Sequence, residues 1–281
     1  MPNTRAQIRQ EIGARLQELY QGVITSGSAT AITDANLADA GADRDHEGAW
    51  VMMGGANTGV VRRVVAYDRG TGTLTLHSAL PALPSQGDAF ELHSMVNPED
   101  INRAINWTLR RMTYMTDVSH TASVGGDTLV LNNDPYVTQT SQIVDVLVPQ
   151  DSATPWDQQL QSVRWWRARG AGGVVYITLG NSVAAGDQFV IRAQLPYNEL
   201  TGDAYETPAP LGWLIPGALA EVYTLMSRKA PAQDAERFEK TALKEAANFT
   251  AASMTFAPRP PRKIAQHGYP GARRGMTESG V

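Results

Sequence analysis

The spacing of hydrophobic positions alternates along the chain between a helical period and a strand period. From Thr4 to Tyr20, Ile8, Ile12, Leu16 and Leu19 recur at helical intervals with Arg, Gln and Glu between them. This predicts an amphipathic helix capped by Thr4. The polar run Thr25-Ser26-Gly27-Ser28 is expected to end it, with a β-rich module starting near Thr30. In that module Gly48–Met53, Val60–Val65, Thr73–Leu76 and Ala89–Leu92 read as strands, separated by the glycine-rich turns 54–59 and 67–72. Short β-prone runs broken by Gly, Asn and Asp predict a small antiparallel barrel or sandwich.

The period then returns to helical. Asn97 is the expected cap and Pro98 the first position of a helix reaching Met115, with Ile101, Ala104, Ile105, Leu109 and Met112 inward. Trp107 and Arg110-Arg111 fall at the other positions. From Ser123 to Tyr197 strands recur: Thr128–Leu131, Gln142–Val148, Gln161–Arg169, Val174–Leu179 and Gln188–Ala193. Gly186-Asp187-Gln188-Phe189 echoes Gly87-Asp88-Ala89-Phe90, a likeness in turn chemistry that does not by itself establish a duplication. Pro208-Ala209-Pro210 is a rigid spacer, followed by a helix over Leu214–Lys229 with Pro216 in its first turn. After Pro231 a helix is expected over Gln233–Ser253, with Phe238, Ala242, Ala246 and Phe249 inward.

The predicted architecture is α+β: a small helical bundle carrying two inserted antiparallel β-modules, followed by an extended C-terminal arm. The bundle is drawn from 1–23, 97–118 and 208–255, the modules from 24–96 and 119–207, and the arm is 256–281.

Composition sharpens this plan in two places. Cysteine is absent from the 281 residues, which excludes disulfides, thiolate metal sites and cysteine nucleophiles. No apolar run is long enough to span a membrane, and no secretory signal is expected. The net charge of −4 is uneven: residues 258–281 carry +4, which leaves −8 on residues 1–257. An acidic body does not suit a grip on duplex DNA, whereas a basic Pro- and Gly-rich tail suits an arm that docks on an acidic neighbour.

Candidate chemistry is sparse. His46, His77, His93, His120 and His267 are scattered; His77 and His93 could approach across a hairpin, but two surface histidines without a third ligand do not make a zinc site. Asp43-Arg44-Asp45-His46-Glu47 could hold a hard cation, yet it lacks the ligand ladder of a calcium loop and reads as a solvated loop. Gly54–Gly59 is similar to a phosphate loop but lacks the Lys-Ser/Thr ending and precedes a strand. Trp165-Trp166-Arg167 with Arg169 could stack on single-stranded bases, but alternation on a strand sends the two indoles to opposite faces, one to the core and one to an interface. No nucleophile elbow and no conspicuous carboxylate pair is present, so the chain is expected not to be an enzyme and to carry no cofactor or metal.

The stretch Ala31-Ile32-Thr33-Asp34 with Leu37, Gly48–Val51, Thr58–Val64, Tyr67-Asp68, Gly72–Leu76 and Gly87–Leu92 resembles a pattern of neck proteins of tailed bacteriophages. The segment Ala218–Phe249, with Tyr223, Phe238 and Ala246-Ala247, looks like the helical part of head–tail connector adaptors. Together the resemblance covers about half the chain; Ser123–Tyr197 has no counterpart in it.

The resemblance implies a structural virion protein, assembled in the host cytoplasm and located at the portal vertex. It implies a homo-oligomeric ring of about twelve copies that joins the portal to the tail or to a second neck protein. Double-stranded DNA passes through the bore without specific binding, and no membrane is involved. The arm residues Arg259, Arg262, Lys263, Arg273 and Arg274 would dock on the portal, and Trp50, Arg62, Arg63, Trp165 and Trp166 would meet neighbouring subunits or partners. The alternative is a β-rich tail, fibre or capsid-decoration protein that recognises glycans or capsid, with Trp50, Trp156 and Trp166 as sugar platforms.

Overall fold

Thr4 starts the first helix by a reciprocal cap: its hydroxyl accepts from the Gln7 amide while the Gln7 side chain accepts from the Thr4 amide. This computed structural model describes residues 2–38, 45–122, 125–132, 137, 139, 142–149, 160–163, 166–171, 174–183, 186 and 188–257. The fold is mixed α/β, with four α-helices and several antiparallel sheets among the described residues. Two compact units are present, Met1–Tyr114 with Pro196–Ala257, and Met115–Leu195.

In the first unit, β1 (Asn3–Thr4) leads into α1 (Arg5–Arg15). The expected helix to Tyr20 is cut short. Gln17 adopts φ +57, a left-handed stop reached without glycine, and the chain reverses into β2 (Leu19–Val23). Leu19 therefore sits on a strand opposite His93, outside the helical stripe predicted for it.

The barrel strands follow: β3 (Ser26–Ser28), β4 (Ala31–Thr33), β5 (Trp50–Met53), β6 (Val61–Asp68), β7 (Thr73–Leu76) and β8 (Ala89–His93). Their order is β2-β8-β5-β6-β7-β4-β3. The first and last strands of that order, β2 and β3, are consecutive in the chain, so the sheet curls on itself around one core. Ile24, Ile32, Val51, Leu74, Phe90 and Leu92 fill it. The run Thr25–Ser28, expected only to end the first helix before strands begin near Thr30, holds the third strand of the chain, Ser26–Ser28.

The helix α2 (Pro98–Arg111) begins as predicted, with Asn97 accepting from the Glu99 amide. It ends at Met112, four turns in, because the chain turns extended there and Met112 is drawn fully into the core. After the second unit come β16 (Glu206–Thr207), which pairs with β1, α3 (Leu211–Lys229) and α4 (Ala232–Phe256). Pro216 lies inside α3 and not in its first turn; Pro210, with φ −63, starts the helix one turn earlier than predicted. A second core holds Ile8 and Ile12 of α1, Ile101, Ile105 and Leu109 of α2, and Trp213, Leu214, Ala218 and Val222 of α3. Phe238, Phe249 and Ala252 of α4 pack against it, whereas Ala246, expected inward, is exposed.

The second unit contains β9 (Thr113–Thr121), β10 (Gly126–Asn132), β11 (Ile143–Pro149), β12 (Leu160–Ser162), β13 (Trp166–Ala171), β14 (Val174–Val183) and β15 (Gln188–Pro196). The single strand predicted over Gln161–Arg169 is two: β12 pairs with β11, and β13 pairs with β14 in another sheet. The sheet orders are β12-β11-β15-β9 and β10-β14-β13.

These orders repeat those of the first barrel. If β9 stands for β2, β10 for β4, β11 for β5, β12 with β13 for β6, β14 for β7 and β15 for β8, every neighbour relation except that of β4 with β3 recurs among the described residues. The break between β12 and β13 falls where β6 itself has a bulge, between Val64 and Ala66, as it passes from β5 to β7. The glycine echo is part of the same repeat. Gly87 (φ +93) donates to the carbonyl of Ile24 just after β2, and Gly186 (φ +92) donates to that of Ala122 just after β9. Phe90 and Phe189 are each buried three residues on. The β10 counterpart has no β3 beside it among the described residues.

Candidate functional site

Alternation along β8 points Phe90 and Leu92 into the barrel and Glu91 and His93 outward, where α1 covers them. All four are buried, so two ionisable groups stand between a sheet and a helix. Arg9, on the covering face of α1, is only 1% exposed. Its Nε donates to Glu91 Oε2 at 2.7 Å and its Nη2 to Oε1 at 3.0 Å. The guanidinium also bonds both oxygens of Asp203, at 2.8 and 2.9 Å, and Asn102 Oδ1 at 3.0 Å. Arg5 adds a bond to Asp203 at 2.9 Å.

On the far side of Glu91, His93 Nε2 lies 3.1 Å from Glu91 Oε2 and its Nδ1 lies 3.4 Å from Glu18 Oε1. Glu18 Oε2 accepts from the amides of Met95 and Val96, where β8 gives way to the turn before α2. Gly13 lets α1 lie close to β2, because a Cβ there would stand 3.0 Å from the Leu19 Cβ.

Burial opposes the charges of Arg9, Glu91, His93 and Asp203, and their partners overcome it. For Arg9, desolvation lowers the pKa, but the hydrogen bonds to Glu91 and Asp203 prevail and the net shift is upward. Desolvation raises Glu91, and the bonds from His93 and Arg9 outweigh it, holding the carboxyl down at about 2. Desolvation lowers His93, and its bonds to Glu18 and Glu91 turn the net shift upward. Desolvation raises Asp203, and Arg9 pulls it below the usual carboxylate range. Protonated His93 offers a donor to each carboxylate, so the positive charges of Arg5, Arg9 and His93 match the negative charges of Glu18, Glu91 and Asp203. Arg9, Glu91 and Asp203 line a cleft of about 480 Å³. Chemically, the arrangement locks α1, β8 and the 200–203 segment in one geometry.

The predicted contact residues lie apart from this network. Trp50 is half-buried on β5 with the Arg63 guanidinium over its ring, 6.0 Å from the centroid. Both line a second cleft of about 770 Å³ with Met95, Arg103, Lys229 and Phe238. Arg62 is spent on its own chain, donating to the carbonyls of Ala79 and Val61. Trp166 is half-buried on β13. Trp165, Trp156 and the arm residues Arg259, Arg262, Lys263, Arg273 and Arg274 lie outside the described residues, as do Asp43 and Arg44.

His93 is not the surface residue that was expected. It is fully buried, and strands β5 and β6 separate its strand from β7, which His77 follows. Among the described residues no group of three His, Cys, Asp or Glu side chains is placed to hold a metal. The Gly54–Gly59 segment is a short helical turn joining β5 to β6.

Sequence patterning missed the Arg9 network. Arg9 reads as part of a polar helix face, and its partner Glu91 is 82 residues away. The available signal was Glu91 and His93 flanking Leu92, a charged pair on one face of a strand with a core on the other. Trp107, placed by patterning outside the inward stripe of its helix, is 56% exposed, and patterning did not single out Leu243 and Met254, which are 66% and 69% exposed. Trp107 lies with Arg103, Arg110 and Leu225 in a cleft between α2 and α3.

No protein-family model matches the chain, and comparison with curated proteins finds no match.

Proposed function

We propose that this protein is a structural component of a tailed-phage neck, a ring-forming adaptor between the portal and the tail or a second neck protein. The architecture on which this rests is a small helical bundle carrying two inserted antiparallel β-modules. The observation that carries it is α4. This helix has 25 residues, Ala242 is the one that is buried among the described residues, and Leu243 and Met254 point outward. A long helix held along one side, with apolar residues on the other, is suited to packing against a helix of a neighbouring copy. The basic segment 258–281 supplies the arm for the portal, and DNA passes the acidic body without specific binding.

The test is assembly. Electron microscopy of the purified chain with portal rings should show a second ring stacked on the portal, and deletion of 258–281 should abolish stacking while the fold persists. A truncated chain that joins portal rings at normal occupancy would remove the role given to the arm. A full-length chain that never forms rings, alone or with a portal, would remove the adaptor reading.

A further inference from the structure

His93 meets a carboxylate at each ring nitrogen: Nε2 lies 3.1 Å from Glu91 Oε2, and Nδ1 lies 3.4 Å from Glu18 Oε1. The side chains of His93 and Glu18 are both fully buried. A neutral imidazole carries one N–H and one bare nitrogen. With both carboxylates charged, loss of the ring proton therefore sets a lone pair against an oxygen in a place closed to solvent. Neither group can turn to water there, so the clash must be relieved by movement.

The surrounding groups decide which contact yields. On the strand of His93 itself, Glu91 is anchored from α1 by the fork of Arg9 and by Gln10 Nε2 at 2.9 Å. Arg5 and Asp203 act on the Arg9 side of the network. The strand neighbours of His93, Leu19 of β2 and Trp50 of β5, carry no charge. Asp100 of α2 is taken by Arg103 and Lys229, and Tyr223 of α3 interacts with the charge of Glu18. The remaining proton thus stays on Nε2, at the shorter contact, and the bare Nδ1 faces Glu18. Glu18 is also the carboxylate with room to leave. It follows Gln17, which is exposed and has φ +57, a conformation that residues with a Cβ rarely adopt. Its Oε2 accepts from the amides of Met95 and Val96 at 2.9 and 2.8 Å, and these residues line the cleft that holds Trp50 and Arg63.

We infer that Glu18 and His93 form a pH-sensitive latch between the Gln17-Glu18 corner and the Met95-Val96 turn. Loss of the His93 proton releases Glu18 from both the ring and the two amides, and loosens that wall of the Trp50 cleft. The Arg9–Glu91 pair stays closed, so the opening is local and the barrel and α1 keep their places. Against burial, the bonds to Glu18 and Glu91 raise the His93 pKa above 6.5. The latch is accordingly closed below 6.5 and opens as the pH rises through the folded value. It is a property of the chain's own groups and does not depend on the neck reading.

The test is nuclear magnetic resonance of the full chain across pH, following the ring nitrogens of His93 and the amides of Met95 and Val96. As His93 loses its proton, the exchange protection of the two amides, corrected for the intrinsic rate, should fall by about tenfold or more. Protection in β5 and α2 should hold over the same range. Glu18→Gln distinguishes a latch from a merely structural contact. Its amide oxygen can still accept from Met95 and Val96, while its NH2 donates to the bare Nδ1 of a neutral ring. In this variant His93 should titrate at lower pH than in the wild type, and the two amides should stay protected after it has done so. Should Glu18→Gln fail to fold, the wild-type titration decides alone. A His93 that titrates with no change at Met95 and Val96, or protection lost equally in β5 and α2, would overturn the inference. So would a folded Glu18→Gln that keeps the wild-type pH dependence.

Discussion

Arg9 on α1 and Glu91 on β8 meet in a two-point ion pair, with N–O distances of 2.7 and 3.0 Å, at a place where Arg9 is 1% exposed. Such a pair matters mainly through what its loss leaves behind. Arg9→Ala would strand Glu91 and Asp203 without their shared cation, and the expected cost is about 3–5 kcal/mol. Arg9→Lys should recover only part of this, since a single ammonium cannot reproduce the planar fork. Urea denaturation of the two variants beside the wild type measures both.

The same network predicts a bell-shaped dependence of stability on pH. Glu91 is held at about 2, against an ordinary value of 4.5. Its contribution is fully present above 4.5 and is lost as the pH falls from there toward 2. The His93 pKa is raised above 6.5, so its contribution is present below 6.5 and is lost as the pH rises through the folded value. Thermal melting should therefore fall off on both sides of the weakly acidic range. Glu91→Gln should lower the melting temperature there and flatten the acid limb; an acid limb as steep as that of the wild type would assign the dependence to other groups.

Gly72 allows the turn between β6 and β7 to close on the segment after β4. It has φ +68, and a Cβ there would stand 2.2 Å from the Asp34 carbonyl oxygen. Gly59, at φ +81, has nothing within 4 Å of the same position. Gly59→Ala should then cost only the left-handed backbone term, about 1–2 kcal/mol. Gly72→Ala should cost clearly more, because backbone must also move. Melting curves of the two variants, run side by side, separate the two effects.

Leu243 separates stability from assembly. It is 66% exposed, so Leu243→Glu should change the folding free energy by no more than about 0.5 kcal/mol. If α4 packs against a neighbouring copy, the same substitution should abolish or strongly reduce rings seen by electron microscopy. Full ring yield from a normally folded variant would place the contact elsewhere.

Much of the fold was legible where local chemistry decides conformation. Thr4 with Gln7, and Asn97 with Pro98, mark helix starts, since caps satisfy amides within one turn. The barrel strands stand out because Gly and Asp interrupt them at the places where the chain must turn. Ends set by distant partners were not legible. Leu19 continues the spacing of Ile12 and Leu16, yet pairing with His93 places it on a strand. Gln161–Arg169 reads as one strand, but its two halves answer to different neighbours.

The candidate site shows the same division. Gly186 and Phe189 echo Gly87 and Phe90 in plain sequence, and this was the visible trace of a repeat whose pairings are a tertiary property. Arg9 and Asp203 left no local signature, since each is an ordinary polar residue in its own segment, and the one trace of the network was Glu91 and His93 flanking Leu92. The sequence alone determined where helices begin, where strands turn, that cysteine chemistry is absent and that the charge is divided between an acidic body and a basic tail. These depend on residues close together in the chain or on simple sums over it. Only the tertiary structure decided that α1 lies over β8, that Arg9, Glu18, Glu91 and His93 are buried together there, and that the strand order of one module recurs in the other. Each of those rests on which distant segments meet, and burial then sets the energy of the groups caught between them.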